Sequence, residues 1–241
     1  MDTTFGIVTP SNSRRRFLAR AVERTRRQTC DDWVFVYVND GASASSRKLF
    51  ERMIQGDPRM RYMETAARTG DWGWTPRTHA TRHLLESADP PDYVVMWDDD
   101  DDIFPEALEM IGAELKRTEF PDLLVVPVLG LHDKVRPDPA IEMDDLVGGD
   151  LITINFVARL DVCAGGLECL PKGGRIRGRD YSFFDRLRKD PESRIEFGEM
   201  KPIGRIDGAR PLMNLRRRLG PPELGIERIP LLRDIRWWLR G

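Results

Sequence analysis

The chain is predicted to be an α/β protein with a mostly parallel, Rossmann-like central sheet flanked by helices, followed by a basic C-terminal helical tail. Three observations predict this. From Phe5 to Leu129, short apolar β-rich runs alternate with segments whose apolar residues recur at helical spacing, the pattern of strand–helix–strand crossovers. Each polar break between them carries turn or cap residues. Beyond residue 200 the composition changes: residues 201–241 hold ten Lys/Arg and four Asp/Glu, so they carry +6 and the remainder −8 of a net −2.

The elements follow in order. Phe5-Gly6-Ile7-Val8 reads as a buried strand ending at Thr9-Pro10, and Ser11, Asn12 and Ser13 supply cap chemistry for a helix. In that helix Phe17, Leu18, Ala21 and Val22 share one face, with arginines opposite. Trp33 to Val38 is a second strand, stopped by the turn Asn39-Asp40-Gly41. Leu49, Phe50 and Met53 mark a helix, Met60 to Met63 a third strand, and Arg68 to Thr78 a Gly/Trp-rich loop. Ala80, Leu84, Leu85 and Ala88 form another helical face before the strand Tyr93 to Trp97. Pro105 suits a first helical turn, and Leu108, Ile111 and Leu115 continue that helix. Leu123 to Leu129 is a fifth strand and Leu151 to Ala158 another. Asp180 to Leu187 is a helix with Phe183, Phe184 and Leu187 inward. In the tail, Leu231, Leu232, Ile235, Trp238 and Leu239 line one helical face.

With 241 residues, 40% hydrophobic and 32% charged, the composition is that of a soluble globular chain, and its near-neutral charge gives no case for nucleic acid. Cys30, Cys163 and Cys169 are odd in number and lack metal-ligand spacing, so they read as reduced thiols of a cytoplasmic protein. No run approaches the roughly 20 apolar residues that span a bilayer, and Met1 to Thr4 lead straight into a strand. The tail segment 223–241 fits a helix lying on the inner face of an anionic membrane, and equally one packed on its own domain or on a second copy in a homodimer.

The centre of the chain is the run Asp98-Asp99-Asp100-Asp101-Asp102, directly after a strand. Five carboxylates repel one another, and a hard divalent cation or the phosphates it carries would hold them there; a solvated acidic loop is the plain alternative. Ligands of parallel sheets bind outside the carboxyl ends of the strands. Thr9-Pro10-Ser11, Asn39-Asp40-Gly41 and the aspartate run all lie at such ends and should converge on one crevice. Two nearby carboxylates can present oxygens to a metal that neutralises a diphosphate. Asp40 can accept a hydrogen bond from a base N–H, or be a plain turn aspartate. Arg77, at a helix start, can reach a diphosphate bidentately or stay solvated. Trp72 and Trp74 can stack on a ligand ring or pin their loop. Asp180, opening a helix, can act as a general base or simply suit the helix dipole. His79 and His83 have i, i+4 spacing without the glutamate of a zinc-protease motif, and read as helix-surface residues.

These residues resemble the family-2 glycosyltransferases of the GT-A fold. Thr9-Pro10-Ser11-Asn12-Ser13-Arg14 is similar to the family's opening Thr-Pro-x-x-Asn-Arg, with Ser13 for the asparagine. Asn39-Asp40-Gly41-Ala42 is similar to its Asp-Asp-Gly-Ser, and Gly73 to Thr78 to its Gly-x-x-x-Ala-Arg-Asn. Asp98 to Leu108 resembles Asp-x-Asp-Asp-x-x-x-Pro-x-x-Leu, and Arg179-Asp180 the later Glu-Asp pair. The likeness spans roughly residues 4 to 190. It implies a GT-A domain over residues 1–200, with a nucleotide-sugar-binding half (1–129) and an acceptor-side half (130–200), and a basic extension (201–241). It also implies inverting, metal-dependent transfer from a UDP-, GDP- or dTDP-sugar to an acceptor hydroxyl in glycan, cell-surface polymer or natural-product synthesis. Asp180 would be the base, and Mn2+ or Mg2+ would sit at Asp98 and Asp100. Thr9, Pro10, Ser11, Arg14, Asp40, Arg77, Asp98 and Asp99 would line the donor. Asn39 in place of an acid leaves the base open, Arg179 replaces the glutamate beside Asp180, and no histidine after His132 completes a metal shell. The rivals are a sugar-phosphate nucleotidyltransferase, although Thr9 to Arg16 has neither glycine nor lysine, and a non-catalytic nucleotide-sugar-binding protein.

Overall fold

A computed structural model describes residues 3–130, 134–138, 140–146, 151–168 and 179–206, with side chains at 179 and 180 left out. The tail helix expected over 223–241 lies outside the described residues, as do Cys169 and His132.

The alternation is present. Strand β1 (Phe5–Ser11) leads to helix α1 (Arg15–Arg26), β2 (Trp33–Asn39), α2 (Ala44–Ile54), β3 (Met60–Glu64), α3 (Trp74–Leu85) and β4 (Tyr93–Met96). A two-residue strand, β5 (Asp102–Ile103), precedes α4 (Ala107–Arg117), β6 (Leu123–Val125), β7 (Val128–Leu129) and β8 (Val135–Arg136). Then come β9 (Phe156–Arg159), α5 (Leu160–Glu168), α6 (Arg179–Arg188), β10 (Ile195–Phe197) and β11 (Gly204–Arg205).

Among the described residues the main sheet has seven strands in the order β10-β6-β9-β4-β1-β2-β3. β1 pairs in parallel with β2 and β4, β2 with β3, and β10 with β6, whereas β9 runs antiparallel to both neighbours. Side chains alternate across this sheet. Phe5, Ile7, Phe35 and Tyr37 join Leu18 and Ala21 of α1, Phe50 of α2 and Leu108 of α4 in one core. Val8, Val36, Val38 and Val94 join Leu84 of α3, Leu167 of α5 and Phe183 of α6 in the other. The helices therefore cover both faces, and the near-continuous apolar strands follow from double burial. A Cβ on Gly166 would lie 2.5 Å from a Phe183 ring carbon, so the absence of that atom lets α5 seat directly against α6.

Helix α3 begins at Trp74, inside the segment 68–78 expected as a loop, and two expected strands are interrupted. The run Leu123 to Leu129 divides into β6 and β7, which belong to different sheets. Pro127 at the break has no N–H for a ladder, and its carbonyl instead accepts from Ile203 N at 3.0 Å. The run Leu151 to Ala158 begins with a 3-10 turn over Thr153–Asn155 before β9. The Asn155 amide donates to the carbonyls of Val126 (2.7 Å) and Arg136 (2.9 Å), so a side chain takes over what a ladder would do.

The smaller sheet has the order β5-β11-β7-β8. β5 begins at Asp102, the last residue of the aspartate run, and β11 pairs with it antiparallel, Arg205 opposite Asp102. Residues 204–205 are thus stitched to the far end of the acidic segment.

Candidate active site

β4, β1 and β2 are neighbours in the sheet, and their carboxyl ends bring together the aspartate run, Thr9 to Arg14, and Asn39 to Gly41. The three segments converge as the alternation predicts. What holds the five carboxylates apart is a set of four arginines.

Asp99 is fully buried; it accepts from Ser11 Oγ at 2.5 Å and Arg14 Nε at 3.2 Å, and a second Arg14 nitrogen contacts it. Arg14 also donates to Asp100 at 3.0 Å. Asp101 is buried and folds back to accept the Asp98 N–H at 2.8 Å. Arg24, also buried, donates to the carbonyls of Asp98 (2.6 Å) and Asp101 (2.8 Å) and to Thr9 Oγ1 (3.3 Å). Asp102 points outward to Arg20 at 3.3 Å. Asp98 pairs with Arg77, whose guanidinium is only 2% exposed against 44% for the Asp98 side chain.

Arg24 and Arg20 were not among the residues singled out from the sequence. For Arg24 there was a signal: it continues the face of Phe17, Leu18, Ala21 and Val22, all buried in α1, and an arginine on an apolar face needs an acidic or carbonyl partner.

Arg77, expected at a diphosphate, is buried and bonds inside the protein through its Nη atoms, whereas its buried Nε has no partner among the described residues. Nη1 bonds the Trp72 carbonyl at 3.0 Å, and Nη2 bonds Asp98 and Thr153 Oγ1 (3.3 Å). It stands behind Asp98 and orients it. Gly73 makes this approach feasible: with φ +84, a Cβ there would lie 2.8 Å from Pro10 and 2.9 Å from Arg77 Nη1. Thus Pro10 serves as the floor on which the loop before α3 rests.

Asp40 is 7% exposed. Its Oδ1 accepts from Thr69 N (2.8 Å), Thr69 Oγ1 (2.9 Å) and Thr65 Oγ1 (3.3 Å), and its Oδ2 from Gly70 N (2.9 Å). Burial pushes its carboxyl up, but these four donors together hold it below the usual range. Asn39, standing where the family has an acid, accepts from Ser13 N (2.8 Å) and donates to Gly41 O (2.5 Å), which ties the β2 turn to the start of α1.

Asp180 opens α6, but its side chain is outside the described set. His79 is exposed and His83 half-buried on α3. Among the described residues no three His, Cys, Asp or Glu side chains gather into a ready metal cluster. Asp98 and Asp100 nevertheless suit a hard cation. Each gives one oxygen to an arginine, Asp98 Oδ1 to Arg77 and Asp100 Oδ2 to Arg14, which leaves the second oxygen of each. Both side chains reach the surface, at 44% and 18% exposure. A cation with two carboxylate ligands completes its shell from water and phosphate oxygens, the usual habit of Mg2+ at nucleotides.

Burial is the largest influence on Asp99 and pushes its carboxyl up to about 6, against the pull of Arg14 and Ser11. The folded protein therefore holds this proton more tightly than the unfolded chain, whose aspartate titrates near 4. The stability it contributes falls as pH rises from about 4 through about 6. Asp99→Asn removes the titration. The stability difference, variant minus wild type, should therefore climb by on the order of 2–3 kcal/mol over that window and stay level above it. Thermal melts of both proteins from pH 4 to 8 check this; a flat difference would mean that Asp99 titrates as an ordinary carboxylate.

The family model for glycosyl transferase family 2 matches residues 6–143, and no curated protein matches the sequence. Among solved structures, residues 1–349 of TarS from S. aureus align with TM-score 0.65 at 13% identity, covering 90% of this chain and 64% of that one. The same TarS fragment in complex with UDP-GlcNAc aligns at 0.63 and 13%, covering 84% and 58%. The mannosyltransferase PcManGT from Pyrobaculum calidifontis, in complex with GDP-Man and Mn2+, aligns at 0.59 and 14%, covering 90% and 61%. The chain thus spans between 58% and 64% of the length of these structures.

Proposed function

The chain belongs to glycosyl transferase family 2, and from that premise we propose that it transfers a sugar, with inversion, from a nucleoside-diphosphate sugar to an acceptor hydroxyl. The observation that carries this is the convergence of Asp40, Thr9 to Arg14 and the aspartate run at the carboxyl ends of three adjacent strands, where an open sheet binds nucleotides. Neighbours of the same fold have been solved with UDP-GlcNAc and with GDP-Man and Mn2+, which supports a nucleotide-sugar donor and a divalent ion.

In this reading the nucleoside lies toward Asp40 and the diphosphate toward Asp98 and Asp100. A divalent cation there, held by the free oxygens of Asp98 and Asp100, would supply Lewis-acid neutralisation of the departing diphosphate. Arg14 and Arg77 keep those two carboxylates in place. Asp180 takes the proton of the acceptor hydroxyl as its oxygen attacks the anomeric carbon. The bond from that carbon to the diphosphate breaks, and its electron pair leaves with the nucleoside diphosphate. The sequence resemblance implies this role for Asp180, and its position in the first turn of α6 supports it.

The test is calorimetric titration with UDP, GDP, dTDP and CDP, with and without Mn2+, on wild type and Asp100→Asn. One nucleotide is expected to bind at micromolar Kd with metal, and to weaken by roughly tenfold or more without metal or in the variant. Binding by none of the four would overturn the donor-site reading. Binding that ignores metal and Asp100 would remove the cation from it.

A further inference from the structure

Asp40 was expected to read the base of a nucleotide, yet its carboxylate is occupied by the loop of residues 65–73. Both oxygens serve Thr65, Thr69 and Gly70. That loop is built with unusual care. Asp71, 2% exposed, accepts from Thr69 Oγ1 (3.1 Å), Thr75 N (3.0 Å) and Thr75 Oγ1 (2.7 Å). Thr65 Oγ1 bonds the carbonyl of Ala67 (2.8 Å) and receives Gly41 N (2.7 Å). At the far end the Trp72 carbonyl is held by Arg77, the arginine that orients Asp98.

What this scaffold presents is a tryptophan. Trp72 is 67% exposed, the most exposed large apolar residue described, whereas Trp33, Trp74 and Trp97 are buried. Its backbone has φ +64, a conformation that is strained for a bulky residue and persists only where the surroundings impose it. The neighbours impose it: Gly70 and Gly73 also have positive φ, and Gly73 is pressed on Pro10 at the end of β1. β1 lies between β2, which is followed by Asp40, and β4, which leads through Trp97 into the aspartate run. The loop therefore runs from Asp40, which Thr69 and Gly70 bond, to Arg77 and Asp98, and Trp72 lies between those two anchors.

We propose that Trp72 is the nucleoside-binding platform of the donor site, its indole stacking on the base, with Asp40 acting as the positioning residue that holds the platform's loop. This rests on the donor-site reading above and names the contact that recognises the base. Stacking uses the π-face that every base has, so such a site discriminates between bases by ring area more than by hydrogen-bond pattern.

The experiment pairs intrinsic tryptophan fluorescence with calorimetry, using UDP, GDP, dTDP and CDP with Mn2+ on wild type, Trp72→Ala and Trp72→Phe. The nucleotide that binds wild type should quench part of the emission. Trp72→Ala should weaken its Kd by roughly 5- to 100-fold and abolish the quench, and Trp72→Phe should restore most of the affinity. A melting temperature unchanged in Trp72→Ala would separate loss of the ring from loss of the loop; a lowered one leaves the Phe rescue to decide, because a merely structural tryptophan gives no ring-dependent affinity. Wild-type affinity with quench retained in Trp72→Ala overturns the platform while leaving the donor site standing. No binding by wild type overturns both.

Discussion

Asp180→Asn is expected to lower kcat by roughly 10²- to 10⁴-fold, the range that a positioned general base supplies, while nucleotide affinity stays within about twofold. The amide keeps the shape of the carboxylate and its place in the first turn of α6 but cannot take a proton at neutral pH. The helix that carries it is firmly seated. Phe183 and Phe184 are fully buried, the Phe183 ring lies 5.4 Å from that of Phe156 on β9, and Gly166 of α5 leaves room for that ring. A substitution in the first turn therefore changes chemistry rather than the position of the helix. The measurement is single-turnover consumption of sugar donors of the nucleotide that titration identifies, beside the nucleotide Kd. An unchanged rate would remove Asp180 as the base. Loss of nucleotide affinity together with turnover would make it a structural acid at a helix start, the role that the helix dipole alone would give it.

Much of this architecture is legible in the sequence because it depends on periodicity. The alternation of β1 to β4 with α1 to α3 follows from apolar runs and amphipathic faces, and the crevice follows from where the runs stop. The partners inside the crevice were less legible. Nothing local to Asp98–Asp102 says that Asp101 turns inward to cap the Asp98 N–H while Asp102 turns out to Arg20. Those choices are made by residues some 80 positions away, Arg14, Arg20 and Arg24, whose positions become relevant only when α1 packs over the end of β4. Asp40 makes the same point: its spacing marks a turn, but its hydrogen bonds to Thr65, Thr69 and Gly70 depend on a loop that closes across the sheet. The division of Leu123–Leu129 at Pro127 was signalled by the proline, and outweighed by the length of the apolar run. Trp72 and Trp74, two residues apart, are alike in pattern; the left-handed turn at Trp72 and Gly73 leaves Trp72 exposed before the helix, while Trp74 opens α3 and is buried.

The pair Arg77–Asp98 should respond asymmetrically to substitution. Arg77 is the buried partner, with its guanidinium committed to Asp98, Trp72 O and Thr153, whereas Asp98 remains 44% exposed. Removing the carboxylate strands a buried cation, a change that costs about 3–5 kcal/mol in a closed interior and about 2–3 kcal/mol here, because water reaches the Asp98 side. Removing the cation leaves a carboxylate that water can solvate. Asp98→Ala is therefore expected to lower stability more than Arg77→Met, even though arginine is the larger group and sits over Trp74 at 5.6 Å. The double variant should be more stable than Asp98→Ala alone by at least about 1 kcal/mol, a coupling of the size found for contacting charged residues. Urea denaturation of the four proteins closes this cycle. Nucleotide titration of Arg77→Met adds the functional half: if Arg77 acts by orienting Asp98 and anchoring the Trp72 carbonyl, donor affinity falls by roughly tenfold through those two partners. Additive penalties, with Arg77→Met the costlier, would show that the arginine chiefly supports the loop before α3. An unchanged nucleotide Kd in Arg77→Met would show that Asp98 is held in its working position by the fold of the aspartate run alone, through Arg24 and the Asp101 cap.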